Sequence, residues 1–423
     1  MAFFFSRDTK VFMAWSYDGT SAKEALYEIP VLDGFSFSQG TNTSEVTLSE
    51  AANSTGGSKR GRAMFTDSFA PAEWSFSTYM RPTVSGTGSA TTATDGVTNG
   101  QHGGNADKFA IEGPLWAAMS ANTYDRATGA SSADKSDYEP NVFNFANSNQ
   151  VTLGVFDLFF VLGASKDSEG NTYTTGTDGV TVYKLANCSV GSASIDFDIE
   201  GLAQIAWSGN GQSIEEVASL ETRATDSGNS ITGTTTLGIV NEGISSTSNY
   251  IRQKLTDLAI TFDHSASTGT LGALAVDGSN DVTYNVTLTG GNITIENNLT
   301  YLTPETLGSV NLPLGHVMGT RSVSGNFTCY LNDTANSSLD LFERLQESRG
   351  VITNAFDLAF SIGGSGNTPR CVVDIDKAHL ELPAHSFEDV VSVDVAFHGL
   401  STDLSSSTAA NATNEVKLTY TAS

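Results

Sequence analysis

Basic residues are scarce in this chain. Lys and Arg number 21 against 47 Asp and Glu, a formal charge of −26 at pH 7. Such a surface repels a phosphate backbone, which argues against a protein built to grip nucleic acid. Cysteine is nearly absent: Cys188, Cys329 and Cys371 are three and far apart, so neither a disulfide framework nor a zinc site is expected. Long apolar runs are missing as well, and none approaches the roughly 20 residues a helix needs to span a bilayer. The first ten residues, MAFFFSRDTK, place no cationic stretch before their apolar ones and reach Arg7 and Asp8 at once. A secretory leader is built differently, so reduced, cytoplasmic synthesis is the expectation. Catalytic signatures are lacking too: there is no G-x-S-x-G elbow and no H-E-x-x-H helix.

What is present is turn chemistry and alternation. Gly numbers 41, and Ser, Thr and Asn supply most of the polarity, because charged residues are only 16% of the chain. Hydrophobic content of 39% is enough for packed cores, and 423 residues predict two domains. Period-two patterns recur in GFSFSQ from Gly34, EWSFSTYM from Glu73, SIDFDIEG from Ser194, ITIE from Ile293, SVDVAF from Ser392 and VKLTY from Val416. These predict strands with one apolar and one polar face. Only two short helices are expected, PLWAAMSAN (114–122) and SSLDLFERLQES (337–348).

The chain also repeats itself. FDLFFVLGA (156–164) returns as FDLAFSIGG (356–364), WSFSTYM (74–80) as GNFTCYL (325–331), and GFSFSQG (34–40) as NITIENN (292–298). SIDFDIEGL (194–202) is matched with SVDVAFHGL (392–400). Colinear order, with one helix in the same slot of each half, predicts a tandem duplication. The expected division is a first domain at 1–212 with a large insertion at 83–141, a linker at 213–250, and a second domain at 251–423.

Candidate chemistry is thin. Asp263, His264 and Ser265 are consecutive, so a strand would point them to alternating faces and they cannot form a triad. His379, Glu381, His385 and His398 fit no zinc spacing, and DSEGNT (167–172) and DGSND (277–281) lack a complete calcium ladder. No cofactor or metal is expected. Lys59, Arg60 and Arg62 form the one dense basic cluster, suited to an acidic surface on a neighbouring copy. In SIDFDIEG, Ile195, Phe197 and Ile199 take one face and Asp196, Asp198 and Glu200 the other. Three acids on one strand face must see water.

IPVLDGFSFSQGTNTSEVTL (29–48) with APAEWSFSTYMRP (70–82), and GHVMGTRSVSGNFTCYLN (315–332) with the FDLAFSIGG and SVDVAFHGL strands, resemble the major tail tube protein of long-tailed, non-contractile bacteriophages in its two-domain, duplicated form. The resemblance implies a mainly β fold of two tandem sandwiches or partial barrels, each with one short flanking helix and long loops. It implies a structural virion protein without catalysis. Chains would close into trimeric, pseudo-hexameric rings, stacked into a hollow tube through which DNA passes. Tape measure, distal tail and terminator proteins would be its partners, with no membrane role. Asp196, Asp198, Glu200 and Asp394 would then line the lumen, Lys59, Arg60 and Arg62 would meet a neighbouring subunit, and residues 41–68 and 298–320 would join ring to ring. The competing expectation is a cell-surface or carbohydrate-binding β-sandwich adhesin; a glycosidase using two of the 47 acids is a third.

Overall fold

The computed structural model describes residues 3–15, 25–46, 63–85, 107–120, 141–145, 153–164, 173–176, 179–220, 238–240, 249–262, 282–303, 307, 310–347, 356–387, 390–402 and 414–422. Strands dominate. The N-terminal half supplies β1 (Lys10–Trp15), β2 (Ala25–Ile29), β3 (Ser36–Val46), β4 (Ala63–Tyr79), β5 (Pro82–Ser85), β6 (Asp107–Ala110), β7 (Val142–Asn144), β8 (Phe156–Leu162), β9 (Thr181–Asp198), β10 (Gln204–Gly211), β11 (Ser213–Val217) and β12 (Gly238–Val240). The C-terminal half supplies β13 (Asp257–Phe262), β14 (Val282–Asn285), β15 (Leu288–Glu296), β16 (Leu299–Leu302), β17 (Gly315–Met318), β18 (Ser322–Tyr330), β19 (Phe356–Ile362), β20 (Arg370–Leu380), β21 (Ala384–Phe387), β22 (Val391–Gly399) and β23 (Lys417–Thr421). Helices α1 (Gly113–Ser120) and α2 (Ser338–Glu347) fall where the apolar spacing put them.

Each half is a sandwich. In the first, an outer layer ordered β12-β2-β1-β8-β9-β11 covers an inner layer ordered β3-β4-β10-β9. In the second, the outer order is β14-β13-β19-β20-β23 and the inner order β15-β18-β22-β21. Most pairings recur in the same order, β2-β1-β8-β9-β11 answering to β14-β13-β19-β20-β23 and β3-β4-β10 to β15-β18-β22, while the parallel β12–β2 pair belongs to the first half. One pairing read from sequence changes. SIDFDIEG ends β9, whose counterpart is β20 with β21, whereas SVDVAFHGL is β22, the counterpart of β10. Alternating strands of equal polarity cannot be told apart by pattern, because a slip of one whole strand leaves the alternation intact.

The repeated FDL motif has a local cause. Phe156 pairs with Cys188 and Leu158 with Leu185, so a β-bulge sits opposite Asp157; an equivalent bulge lies between Phe356 and Leu358. Buried Asp157 accepts a 2.8 Å hydrogen bond from the Asn187 N–H, and Asn187 itself stands at φ +50°, in the left-handed region. Lys184 Nζ lies 3.9 Å from the same carboxylate. The bulge bends the long strand so that it can leave the outer layer and enter the inner one.

The two sandwiches share one sheet and one core. Along β9, residues 192–196 pair on one side with β10 and residues 192–198 on the other with β15 of the second half, so the inner layers fuse into β3-β4-β10-β9-β15-β18-β22-β21. The sheets remain open and do not close into a barrel within one chain, which leaves the sandwich as the form of each half. A single apolar core runs through both halves, with Phe197 of the first 5.7 Å from Phe360 of the second.

Described parts of the 83–141 insertion, with the strand that follows it, tie the halves together. β7, just beyond it, pairs with β23 of the second half. All eight residues of α1 are buried, and Trp116 Nε1 donates to the Tyr420 hydroxyl at 2.8 Å. A helix apolar all round belongs inside, and burying each of Leu115, Trp116 and Met119 contributes about 1.5–3 kcal/mol. Within the stretch expected as a linker, β11 and β12 are strands of the first outer layer.

Candidate functional site

The fused inner sheet has one face against the core and one facing solvent. Alternation decides which side chains go where: Trp74, Phe76, Ile195, Trp207, Ile293, Phe327, Val395 and Phe397 are buried, and their sequence neighbours point out. Register then lines the outward residues into rows that cross both halves. One row runs Ser77, Ala206, Ser194, Thr294, Ser324, His398; the next runs Tyr79, Gln204, Asp196, Asn292, Asn326, Ala396. A third reads Asp198, Gly290, Thr328, Asp394.

Hydroxyls satisfy one another across this face. Ser36 and Ser75 lie 2.8 Å apart, Ser192 and Ser208 2.7 Å, and Ser194 and Thr294 3.2 Å across the seam between halves. The Thr328 hydroxyl donates to Asp394 Oδ1 at 3.2 Å. Short hydroxyl side chains paired in this way leave a smooth polar surface with few groups reaching outward.

Asp196, Asp198 and Asp394 share this face, and all three are exposed. Glu200 does not continue the row: β9 ends at Asp198, and Glu200 lies exposed in the turn to β10. Ile199, expected on the apolar face, is 52% exposed in the same turn. There the Asp198 carboxylate accepts from the Ile199 N–H at 2.6 Å and ends the strand. Two further acids join the face, Glu73 opposite Ser38 and Asn210, and Glu296 opposite Ser192 and Ser322. Both were legible in EWSFSTYM and ITIE as the polar partners of the alternation. A shallow groove on this face is lined by Ser38, Glu73, Ser192, Asn210, Glu296 and Asn298.

Lys and Arg are missing from the strands that build this face. No Lys or Arg occurs in β3, β4, β10, β15, β18, β21 or β22, nor in β9 from Ser189 onward. At its border Arg252 bridges to Leu202 in the turn beyond β9.

At one end of the sheet the distal part of the β3–β4 hairpin meets the β16–β17 arm. The Phe69 N–H donates to the Asn311 carbonyl at 2.9 Å, and the Asn311 N–H returns to Asp67 at 3.3 Å. This protrusion exposes Met64, Phe65, Leu302, Leu312, Leu314 and Val317.

Of the other candidates, His398 ends the Ser324 row of this face. His398 Nε2 and Glu381 Oε1 are 3.2 Å apart and both exposed, while the His385 ring packs edge-on against Phe342 at 4.5 Å. Among the described residues no three His, Cys, Asp or Glu are grouped to hold a metal ion. All three cysteines are buried thiols. Lys59, Arg60, Arg62, the 263–265 triplet and the 167–172 and 277–281 loops lie outside the described residues. Among the described residues no helix is long and apolar enough to cross a membrane.

No protein-family model matches the chain. Over 402 residues, 94% of this chain and 73% of the relative, it is 28% identical to the tail tube protein pb6 of Escherichia phage T5. The match spans both halves and bears out the resemblance to siphophage tail tube proteins.

Proposed function

We propose, on the premise that this chain is a relative of a siphophage tail tube protein, that it is the structural subunit of a virion tail tube and conducts DNA without catalysis. The observation that carries the reading is the fused inner sheet, whose solvent face bears acids and hydroxyls and no Lys or Arg. Three chains, each supplying halves 1–212 and 251–423 as two of six similar positions, close a ring with this face toward the lumen. A head-to-tail contact that closes makes a ring and removes the open sheet edges. Rings then stack through the apolar protrusion at Met64, Phe65, Leu312 and Leu314. Other tail proteins cap and initiate the stack.

Purified protein, concentrated and supplied with tail-initiation components, gives rings and hollow tubes in negative-stain micrographs. Monodisperse monomers under all these conditions would sink the reading. The adhesin alternative calls for exposed aromatics clustered on loops, whereas Trp74, Phe76 and Tyr79 sit in β4, the first two buried and the third half-buried.

Two outcomes follow for variants. Replacing Asp196, Asp198 and Asp394 by Lys leaves folding and tubes intact, since all three are exposed on one surface, yet adds cations that hold a phosphate backbone. DNA ejection from such particles slows or stops, and more so at low salt; ejection at the normal rate would remove these acids from the lumen. Phe65→Asp with Leu314→Asp charges the protrusion, and rings form but stacks shorten, measured as tube length by microscopy.

A further inference from the structure

Each half opens on the same device, a short strap with one 3-10 turn: Ser6–Asp8 before β1 and Gln253–Leu255 before β13. Register makes the two straps equivalent residue by residue. Lys10 faces Val161 and Asp257 faces Ser361, and Val161 and Ser361 hold the same place in FDLFFV and FDLAFS. Counting back, Ser6 answers to Gln253, Phe4 to Ile251 and Phe3 to Tyr250. Packing agrees: a Cβ on Gly163 would meet the Phe4 ring at 3.3 Å, and one on Gly363 would meet Ile251 Cγ2 at 3.0 Å. We propose that the N-terminal strap of one copy, residues 3–8, docks on a platform of Tyr330 and Val390 in a second copy, with Phe3 against the Tyr330 ring. This deepens the tube reading and rests on it.

Within the chain, the second strap lies over the end of the first half. The Tyr250 ring meets Tyr79 edge-on at 5.2 Å, and the Arg81 guanidinium stands 4.6 Å over it. The Ile251 carbonyl accepts from the Ala203 N–H at 2.9 Å, and Arg252 bridges to Leu202. Gln253 Nε2 donates to the Asp196 carbonyl at 3.0 Å, while its Oε1 accepts from the Asp198 N–H at 3.3 Å. The strap thus closes the end of β4 and the turn from β9 to β10.

The second half carries the same platform open. Phe76 and Phe327 occupy equivalent places opposite Trp207 and Val395, so Tyr79 answers to Tyr330 and Leu202 to Val390. Tyr79 and Leu202 are half-buried under their strap, whereas Tyr330 is 40% exposed and Val390 55%. The first strap is open in the same way: Phe3 is 67% exposed and Phe4 46%, against a half-buried Tyr250 and an Ile251 at 1%. Apolar side chains left open on two surfaces, where the duplicates of both are closed on each other, mark a contact made between chains. The second strap reaches from a second half onto a first half. The converse contact, from a first half onto a second, joins two copies, because the seam within the chain is already closed by the second strap. The occupant is therefore another copy, since strap and platform both belong to this chain.

The test is a photo-crosslink mapped by mass spectrometry. Assembled protein carrying p-benzoyl-phenylalanine in place of Phe3, once irradiated, joins two chains, and the linked peptide contains Tyr330 or Val390. Where that probe blocks assembly, the reciprocal probe in place of Tyr330 decides, by linking or failing to link residues 3–8 of a neighbour. Phe3→Ser/Tyr330→Ser keeps the fold of the single chain, since both rings are exposed there, and raises the concentration needed for assembly about tenfold. Tubes whose photoproducts stay within one chain or map elsewhere on the neighbour, or whose assembly threshold is unchanged in the double variant, overturn the strap and leave the tube reading standing. No assembly of the unmodified chain overturns both.

Discussion

Arg321→Ala lowers the stability of the unassembled chain by about 3–5 kcal/mol, read as a shift of the urea midpoint at unchanged slope. Arg321 lies between the halves with 2% of its side chain exposed. Its guanidinium donates to the Phe145 carbonyl at 2.9 Å, to Glu415 Oε2 at 3.3 Å and to Asn297 Oδ1 at 3.3 Å, and it stacks over the Phe145 ring. Asn297, fully buried, passes the contact on to the carbonyls of Met119 and Val190. One cation thus gathers the insertion, β9 and the strand leading into β23. Burial lowers the Arg321 pKa and raises that of Glu415, and their mutual attraction offsets part of both shifts. Removing the cation strands a largely covered carboxylate and two acceptors, which is the costly way to break such a pair. Arg321→Met/Glu415→Gln recovers much of the loss. A single variant costing under about 1 kcal/mol would show that the pair does not bind the halves.

Glu112→Gln stabilises the chain above pH 7 and flattens its pH dependence. Glu112 is 1% exposed, between α1 and β23; burial pushes its pKa from 4.5 to about 7, with a hydrogen bond from Tyr420, the Arg81 N–H at 3.2 Å and the Arg81 charge offsetting part of that rise. Cys371 and Tyr420 are pushed up by burial first and by the Glu112 carboxyl second. Between about pH 4.5 and 7 the folded chain still holds this proton and the unfolded chain has lost it. Stability is therefore full below about pH 4.5, falls as pH rises, and levels off above 7, a loss of ~3 kcal/mol from this group. Gln is neutral throughout and can keep accepting from the Arg81 N–H. Urea midpoints from pH 4 to 8 check the result; parallel curves for the two chains would place Glu112 in contact with water.

The repeat, the strand faces and both helices were legible because each depends on residues near one another in sequence. Alternation at SIDFD placed Asp196 and Asp198 outward before any contact was known, and it would have placed Glu73 and Glu296 as well. Glu200 was misplaced because the strand stops at Asp198, and turn chemistry outweighs a pattern extrapolated by two residues. Matching SIDFDIEGL with SVDVAFHGL failed for a different reason. Both are apolar-in and polar-out, and only hydrogen-bonded neighbours distinguish β9 from β22.

The sequence by itself determined that the chain is β-rich, duplicated and acidic, and which side of each strand meets water, because side-chain alternation and composition are properties of the chain alone. Tertiary structure decided that the halves share one sheet through β9 and β15, and that Asp196 and Asp394 occupy one face. It also decided that β7 and α1 cross to the second half. Strand partners are chosen by backbone hydrogen bonds, which look the same for every residue type, and by core volumes filled from positions hundreds of residues apart.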